Sequence, residues 1–361
     1  MQLVELVSNF SYGDGISKVV LELSKRLKRY YDLTVVYHYA TTEAIPFSGL
    51  QLSRIASLRY LLGHADVVHS HFGTGVLMGS IARRLSPKMR HISTHHVIPP
   101  REVSGSPYVP YYAVRAVTEA GLRMGTDRVV GISRYACEDL RQNYGIENSY
   151  QISNGVDTRA FYPDPSAARQ FRLRHGINED ARLVGYIARF NQQKNHELLV
   201  RLAPKLPEDT LLVLGGTAVK GPLGTYEKCV SLAKQLGVQD RIRFVGYVPE
   251  SELRGFYSSL QVFAFASIYE SFGLSLLEAM CCQTPVVCLD GYAYPEVVDP
   301  TLFRNGLRAR TEREFHNSVL RILHEPKLGR MFGRRGRRFA AGLDWKIQAN
   351  KYKALLDSLT L

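Results

Sequence analysis

The sequence predicts an α/β protein of two doubly wound parallel-sheet domains in tandem. Three observations carry this. Short β-branched runs alternate with helical stretches of roughly 10 to 15 residues, a turn-rich segment breaks the alternation once, and the alternation then restarts. The length of 361 residues agrees, being more than one core comfortably fills.

Taken in order, the first half reads LVELVS, a helix over 16–30, LTVVYHY, a helix near 51–63, ADVVHSH, a helix near 76–85, and RHISTHH. After a Pro- and Tyr-rich interruption come a further helix and the strands RVVGIS and SYQISNG. Residues 154–168 are rich in turn formers and read as a linker. The second half reads RLVGYIARF, a helix from His196, TLLVLGG, a helix near 223–236, IRFVGYV, a helix near 251–260, QVFAFAS, a helix from Gly273, and PVVCLD. From Thr311 the chain reads as helical, ending in an amphipathic run over 345–359. The expected domains are 1–160 and 161–340. In open α/β sheets a ligand lies outside the carboxyl ends of the strands, so an active site in the cleft that the two sheets face is expected.

Composition narrows the class. No stretch approaches the roughly 20 apolar residues of a membrane span, and the N-terminal MQLVELVSNF carries an acid in its only apolar run, so neither a signal peptide nor a transmembrane helix is expected. The five cysteines are odd in number and never spaced C-x-x-C, which suits neither a disulfide framework nor a zinc site. A cytoplasmic protein is the expectation. The net charge of +13 implies an anionic partner, with clusters at 24–31, 82–91 and 329–339. Nucleic acid, acidic lipid and phosphorylated substrates all qualify. A basic nucleic-acid-binding protein is the weaker reading, since the chain shows no RNP-like motif or helix-turn-helix, so no nucleic-acid partner is expected.

The stretch ESFGLSLLE, 270–278, carries the chemistry. Glu270 follows a strand-like run, in a loop at the carboxyl end of the sheet, and Phe272, Gly273 and Leu274 open the next helix. Free N–H groups and the helix dipole favour a phosphate there, and a glycine permits its close approach. Glu278, one to two turns on, is suited to accept from vicinal hydroxyls. A ligand anionic at its centre and hydroxylated at both ends fits, as a nucleotide sugar does.

ESFGLSLLEAM resembles the E-x7-E motif of the retaining GT-B glycosyltransferases, in particular family 4, the glycosyl transferases group 1. The segments GDGISKVVLELSKRL, DVVHSH, VVGISRYACEDL, ISNGVDTRAFYP and IARFNQQKN agree in order and spacing, so the resemblance spans about residues 10 to 298. It implies a GT-B fold of two Rossmann-like domains facing a cleft, with 341–361 packing back on the N-terminal, acceptor-side domain. It also implies retaining transfer of a hexose from a nucleoside diphosphate sugar, UDP favoured over GDP, to a glycan hydroxyl.

By the same resemblance Glu278 holds the ribose, Glu270 the donor sugar, and Arg189 and Lys194 the diphosphate. His96, rather than its neighbour His95, meets the sugar's 6-hydroxyl and the reaction centre, while His69 and His71 are supporting or structural. Gly13 and Gly15 match the family's Gly-Gly turn, with Asp14 intruding. The chain has no D-x-D motif, so metal independence and no cofactor beyond the co-substrate are expected. Tyr292 and Tyr294 are peculiar to this chain and are candidates for donor or acceptor contact. Fold alone leaves a nucleotide-sugar epimerase or a phosphorylase open. The apolar, Tyr-rich 103–117 and the basic clusters suit a lipid-linked acceptor at an anionic membrane surface, and a soluble acceptor also fits.

Overall fold

The computed structural model describes residues 1–10, 15–40, 49–97, 111–218 and 224–359. They form two compact units: 1–97, 111–155 and 345–359 make the first, and 156–344 the second. The crossings lie at 155/156 and 344/345, where the sequence places them at 160/161 and 340/341. The reason is local: Val156 N–H donates to Leu343 O at 3.0 Å, and the Thr158 hydroxyl donates to Asp344 at 2.5 Å, tying 156–160 to 341–344 within the second unit.

The first unit holds a seven-stranded sheet of β1 (Gln2–Phe10), β2 (Asp32–Ala40), β3 (Gly49–Gln51), β4 (Val67–His71), β5 (Arg90–His95), β6 (Arg128–Gly131) and β7 (Tyr150–Gln151). Their order is 3-2-1-4-5-6-7, and every pairing is parallel. Val4, Leu6, Val36 and Val68 are wholly buried, as strands covered on both faces must be. Helices α1 (Gly15–Leu27), α2 (Arg54–His64), α3 (Thr74–Leu85), α4 (Tyr111–Gly125) and α5 (Arg134–Tyr144) supply the crossovers.

The second unit holds β8 (Arg182–Ile187), β9 (Thr210–Gly215), β10 (Ile242–Gly246), β11 (Val262–Phe265), β12 (Val286–Leu289) and β13 (Leu307–Ala309), in the order 10-9-8-11-12-13. Its helices include α6 (Pro165–Arg174), α7 (His196–Val200), α8 (Thr225–Gln235), α9 (Glu250–Ser259), α10 (Leu274–Cys281), α11 (Tyr294–Val297), α12 (Glu312–His324) and α13 (Pro326–Ala341). Local chemistry sets several starts: Asp164 accepts from Ala167 N–H ahead of Pro165, and Thr311 accepts from Glu314 N–H.

The last helix, α14 (Trp345–Asp357), belongs to the first unit. It buries Trp345, Ala349, Tyr352 and Leu356, and Asp357 accepts from the Tyr31 hydroxyl at 2.6 Å. Each sheet reverses its strand order once, between β1 and β4 in the first unit and between β8 and β11 in the second. Such switch points open a crevice at the strands' carboxyl ends. Among the described residues no helix is long and apolar enough to cross a membrane.

Candidate functional site

At the switch point of the second unit, Arg189 stands exposed in the loop after β8. Lys194 ends a short 3-10 turn over Gln192–Lys194, and the Asn191 side chain accepts from its N–H at 3.0 Å. The loop is laced to its neighbour: Ala188 N–H donates to Gly215 O and Phe190 N–H to Thr217 O, each at 3.0 Å. Gly216 makes this possible. Its φ is +139°, and a Cβ there would lie 1.8 Å from Ala188 O, so the Gly215-Gly216-Thr217 turn tolerates no side chain at its centre.

From the other side of the switch point, β11 delivers Ser267 and Glu270. Lys194 forms an ion pair with Glu270, and Ser267 donates to the same carboxylate at 2.9 Å. The two residues expected on the ligand are thus held on each other, both half-buried. Beneath them the Tyr186 hydroxyl donates to Ser267 Oγ at 2.7 Å, and the Tyr294 hydroxyl to Ser267 O at 2.8 Å. Burial, reinforced by the Glu270 charge, pushes both phenols well above their ordinary range and keeps them donors. Tyr294, a candidate ligand contact by sequence, is therefore a buried prop. Tyr292 has a φ of 51° and rests edge-on against Tyr269 at 4.7 Å between ring centroids.

Helix α10 begins at Leu274, so Phe272 precedes the helix and Gly273 caps it, with a left-handed φ of 91°. Phe272 is buried and Leu274 half-buried. Glu278 lies one turn inside, on the buried side, and accepts from the Tyr257 hydroxyl at 2.8 Å. Burial and the nearby Glu278 charge push Tyr257 up, so it remains a donor. The stretch 270–278 thus places one carboxylate in the loop and one inside the helix.

At the switch point of the first unit, histidines meet a buried acid. Glu5 on β1 is in register with His69 on β4, and neither is exposed to solvent. Its Oε1 takes His69 Nδ1 at 3.2 Å and its Oε2 takes His71 Nε2 at 2.8 Å. His71 Nδ1 in turn faces His96 Nε2 at 3.1 Å, just past the end of β5. His95 is bound elsewhere, to Asp139 at 2.6 Å and edge-on to Tyr144. Consecutive strand-end residues point to opposite faces, so the two neighbours have separate partners. Burial pushes the Glu5 carboxyl up, but the two imidazoles outweigh it and hold it down at about 2. Burial, then His69, pushes His71 down to about 4, and burial, then His71, holds His96 well below the usual range.

Gly15 opens α1, with open space where a Cβ would stand. Gly13, Asp14 and the segment 103–110 lie outside the described residues. Sequence reasoning missed Glu5, Asp139, Ser267, Tyr186 and Tyr257 as site partners. Only Glu5 left a signal, an acid inside an apolar strand.

Residues 168–339 match the family model described as glycosyl transferases group 1, and residues 13–160 the model described as glycosyltransferase family 4. The chain belongs to this glycosyltransferase family and has its GT-B fold. A D-inositol 3-phosphate glycosyltransferase of Kribbella flavida is 26% identical over 389 residues, covering 96% of this chain and 91% of that protein. Among solved structures, a sucrose-phosphate synthase from Thermosynechococcus elongatus superposes with a TM-score of 0.81 at 21% identity, covering 99% of each chain. HepE of Anabaena, solved with UDP and glucose, does so with a TM-score of 0.85 at 16% identity, again over 99% of each.

Proposed function

We propose that this glycosyltransferase moves a hexose from a UDP-sugar to a hydroxyl of a glycan acceptor, retaining the anomeric configuration and using no metal ion. One observation carries the reading: the second unit's switch point gathers Arg189, Lys194, Glu270 and the Gly273 cap of α10, with Glu278 one turn inside. Cations and helix amides answer a diphosphate, and the two carboxylates answer hydroxyls. The neighbour solved with UDP and glucose supports a nucleotide-sugar donor.

In the reaction the C1–O bond to the diphosphate breaks, and the acceptor oxygen bonds to C1 on the same face. The acceptor's proton passes to the departing phosphate oxygen. Negative charge grows on that leaving group, and Arg189 and Lys194 are the fixed cations suited to stabilise it. Lys194 has Glu270 as its counter-ion before the donor arrives, and the donor's diphosphate competes for that ammonium. His96 serves the sugar's 6-hydroxyl.

Calorimetry with UDP and turnover of a UDP-sugar panel test this. Alanine at Arg189, Lys194 or Glu278 is expected to lower kcat/KM by about 30- to 1,000-fold, the effect of removing roughly 2 to 4 kcal/mol of charged contacts. Near-normal turnover in all three would refute the donor site. Activity is expected to survive EDTA, and a requirement for added manganese would exclude the metal-free reading.

We further propose a lipid-linked acceptor, reached from the cytoplasmic face of an anionic membrane. In the basic cluster at the end of α1, Lys25 and Arg26 are engaged by Glu22 at 2.7 and 2.6 Å, whereas Lys28, Arg29 and Tyr30, just past the helix, are exposed. Each exposed cation contributes about 1 kcal/mol near such a leaflet. Vesicle sedimentation should show binding that rises with anionic lipid, weakens with salt and falls on charge reversal at Lys28 and Arg29. Absence of binding at low salt would leave a soluble acceptor.

A further inference from the structure

The first unit contains a line of hydrogen bonds whose direction is fixed by its chemistry. Glu5 is fully buried in mid-strand, where a carboxylate persists only if donors reach it. His69 Nδ1 bonds to its Oε1 at 3.2 Å and His71 Nε2 to its Oε2 at 2.8 Å. An ionised carboxylate only accepts, so each of those ring nitrogens carries a proton. A neutral His71 with its proton on Nε2 then has a lone pair on Nδ1. That lone pair faces His96 Nε2 at 3.1 Å, so His96 donates and its own proton is on Nε2.

The other branch imposes nothing comparable. His69 Nε2 meets the Thr94 hydroxyl at 2.7 Å, and Thr94 meets the Tyr352 hydroxyl at 3.0 Å. Hydroxyls rotate and can reverse their roles. His95, the remaining imidazole beside His96, is engaged by Asp139. No side chain among the described residues hydrogen-bonds to Nδ1 of His96, although the residue is only 4% exposed.

We infer that Glu5 is a positioning residue: through His71 it fixes the proton of His96 on Nε2 and leaves the Nδ1 lone pair to accept from a substrate hydroxyl. This rests on the role given to His96 above. One potential ligand atom from each of Glu5, His69 and His71 lies within 4.8 Å of the other two, a spacing that would also suit a divalent cation. The hydrogen-bond reading is preferred because every contact along the branch to His96 runs in one consistent direction.

The test is a long-range proton–nitrogen correlation spectrum of the full-length protein carrying 15N-labelled histidine, with His71→Asn and His96→Asn assigning the signals. His71 and His96 are expected as Nε2–H tautomers, and either one found as the Nδ1–H form overturns the inference without any need of a Glu5 variant. Glu5→Leu, which removes the acceptor, should let both rings sample two tautomers. In that variant kcat for UDP-glucose turnover should fall about 10- to 100-fold, with UDP affinity by calorimetry unchanged. A folded Glu5→Leu protein with unchanged tautomers and kcat within about threefold of the parent would overturn the inference. So would a stoichiometric metal ion in the purified protein whose removal by EDTA moves the His69 and His71 signals. If the tautomers are as stated but no UDP-sugar in the panel turns over, Glu5 still sets the proton on His96, and the transferase reading falls.

Discussion

Lys194 and Glu270 neutralise each other at the carboxyl end of the second sheet, with Ser267 completing the carboxylate's shell. Removing one partner leaves a half-buried charge short of its counter-ion, whereas removing both leaves none. Lys194→Ala and Glu270→Ala should each lose roughly 1 to 3 kcal/mol in urea denaturation, and the double variant should recover more than half of the summed loss. Strict additivity would mean that the pair contributes nothing as a unit. Each of the two residues was singled out in the sequence as an expected ligand contact, because motif spacing marks where a ligand is expected. Their pairing was not, because Lys194 and Glu270 are 76 positions apart and meet only where β8 and β11 become neighbours. Glu5 and His71 show the same effect across 66 positions.

Two glycines separate backbone necessity from ligand access at the level of loops and helix starts. At Gly216 a Cβ would collide with the Ala188 carbonyl, and the backbone is in a region that L-residues rarely adopt. Gly216→Ala should therefore destabilise the second unit by about 3 kcal/mol or more, seen as a lower Tm. At Gly15 the space is open. Gly15→Ala should leave stability within about 0.5 kcal/mol of the parent, so a loss of activity there would report a ligand approaching the start of α1, and unchanged kinetics would remove Gly15 from the site. Periodicity revealed the long central strands because they are buried on both faces. It overstated SYQISNG, of which only Tyr150–Gln151 pairs, and gave no sign of Gly49–Gln51. Both are edge strands, largely exposed and short, so no continuous apolar run marks them.

Buried imidazoles make the whole molecule sensitive to acid. His71 and His91 are pushed down to about 4 in the first unit and His196 to about 3 in the second, in each case chiefly by burial. In the unfolded chain these groups take up protons near pH 6.5. Between that pH and their folded values the unfolded state binds more protons, so stability falls as pH falls. Each such group should weaken its unit by about 2 kcal/mol on going from pH 7 to pH 5. Melting followed by calorimetry at the two pH values checks this, and a Tm unchanged at pH 5 would show that these rings ionise freely in the folded state. Glu5, held at about 2, contributes stability that is lost only at lower pH still, as it is protonated on the way from its ordinary range toward that value.

The sequence by itself determined that there are two doubly wound units, which strands are central, and which loop and following helix carry the E-x7-E carboxylates. These follow from period, turn chemistry and motif spacing, all of which act over a few residues. Only the tertiary structure decided the partners: Lys194 on Glu270, Tyr257 under Glu278, Asp139 on His95, and Glu5 behind His71 and His96. It also decided how the final helix, expected on the first unit, is held there: Tyr352 meets Thr94. The physical reason is that a parallel sheet makes neighbours of strands whose order in the chain is set by crossovers. A buried polar group then bonds to whichever donor that neighbour presents, and nothing in the local sequence records the choice.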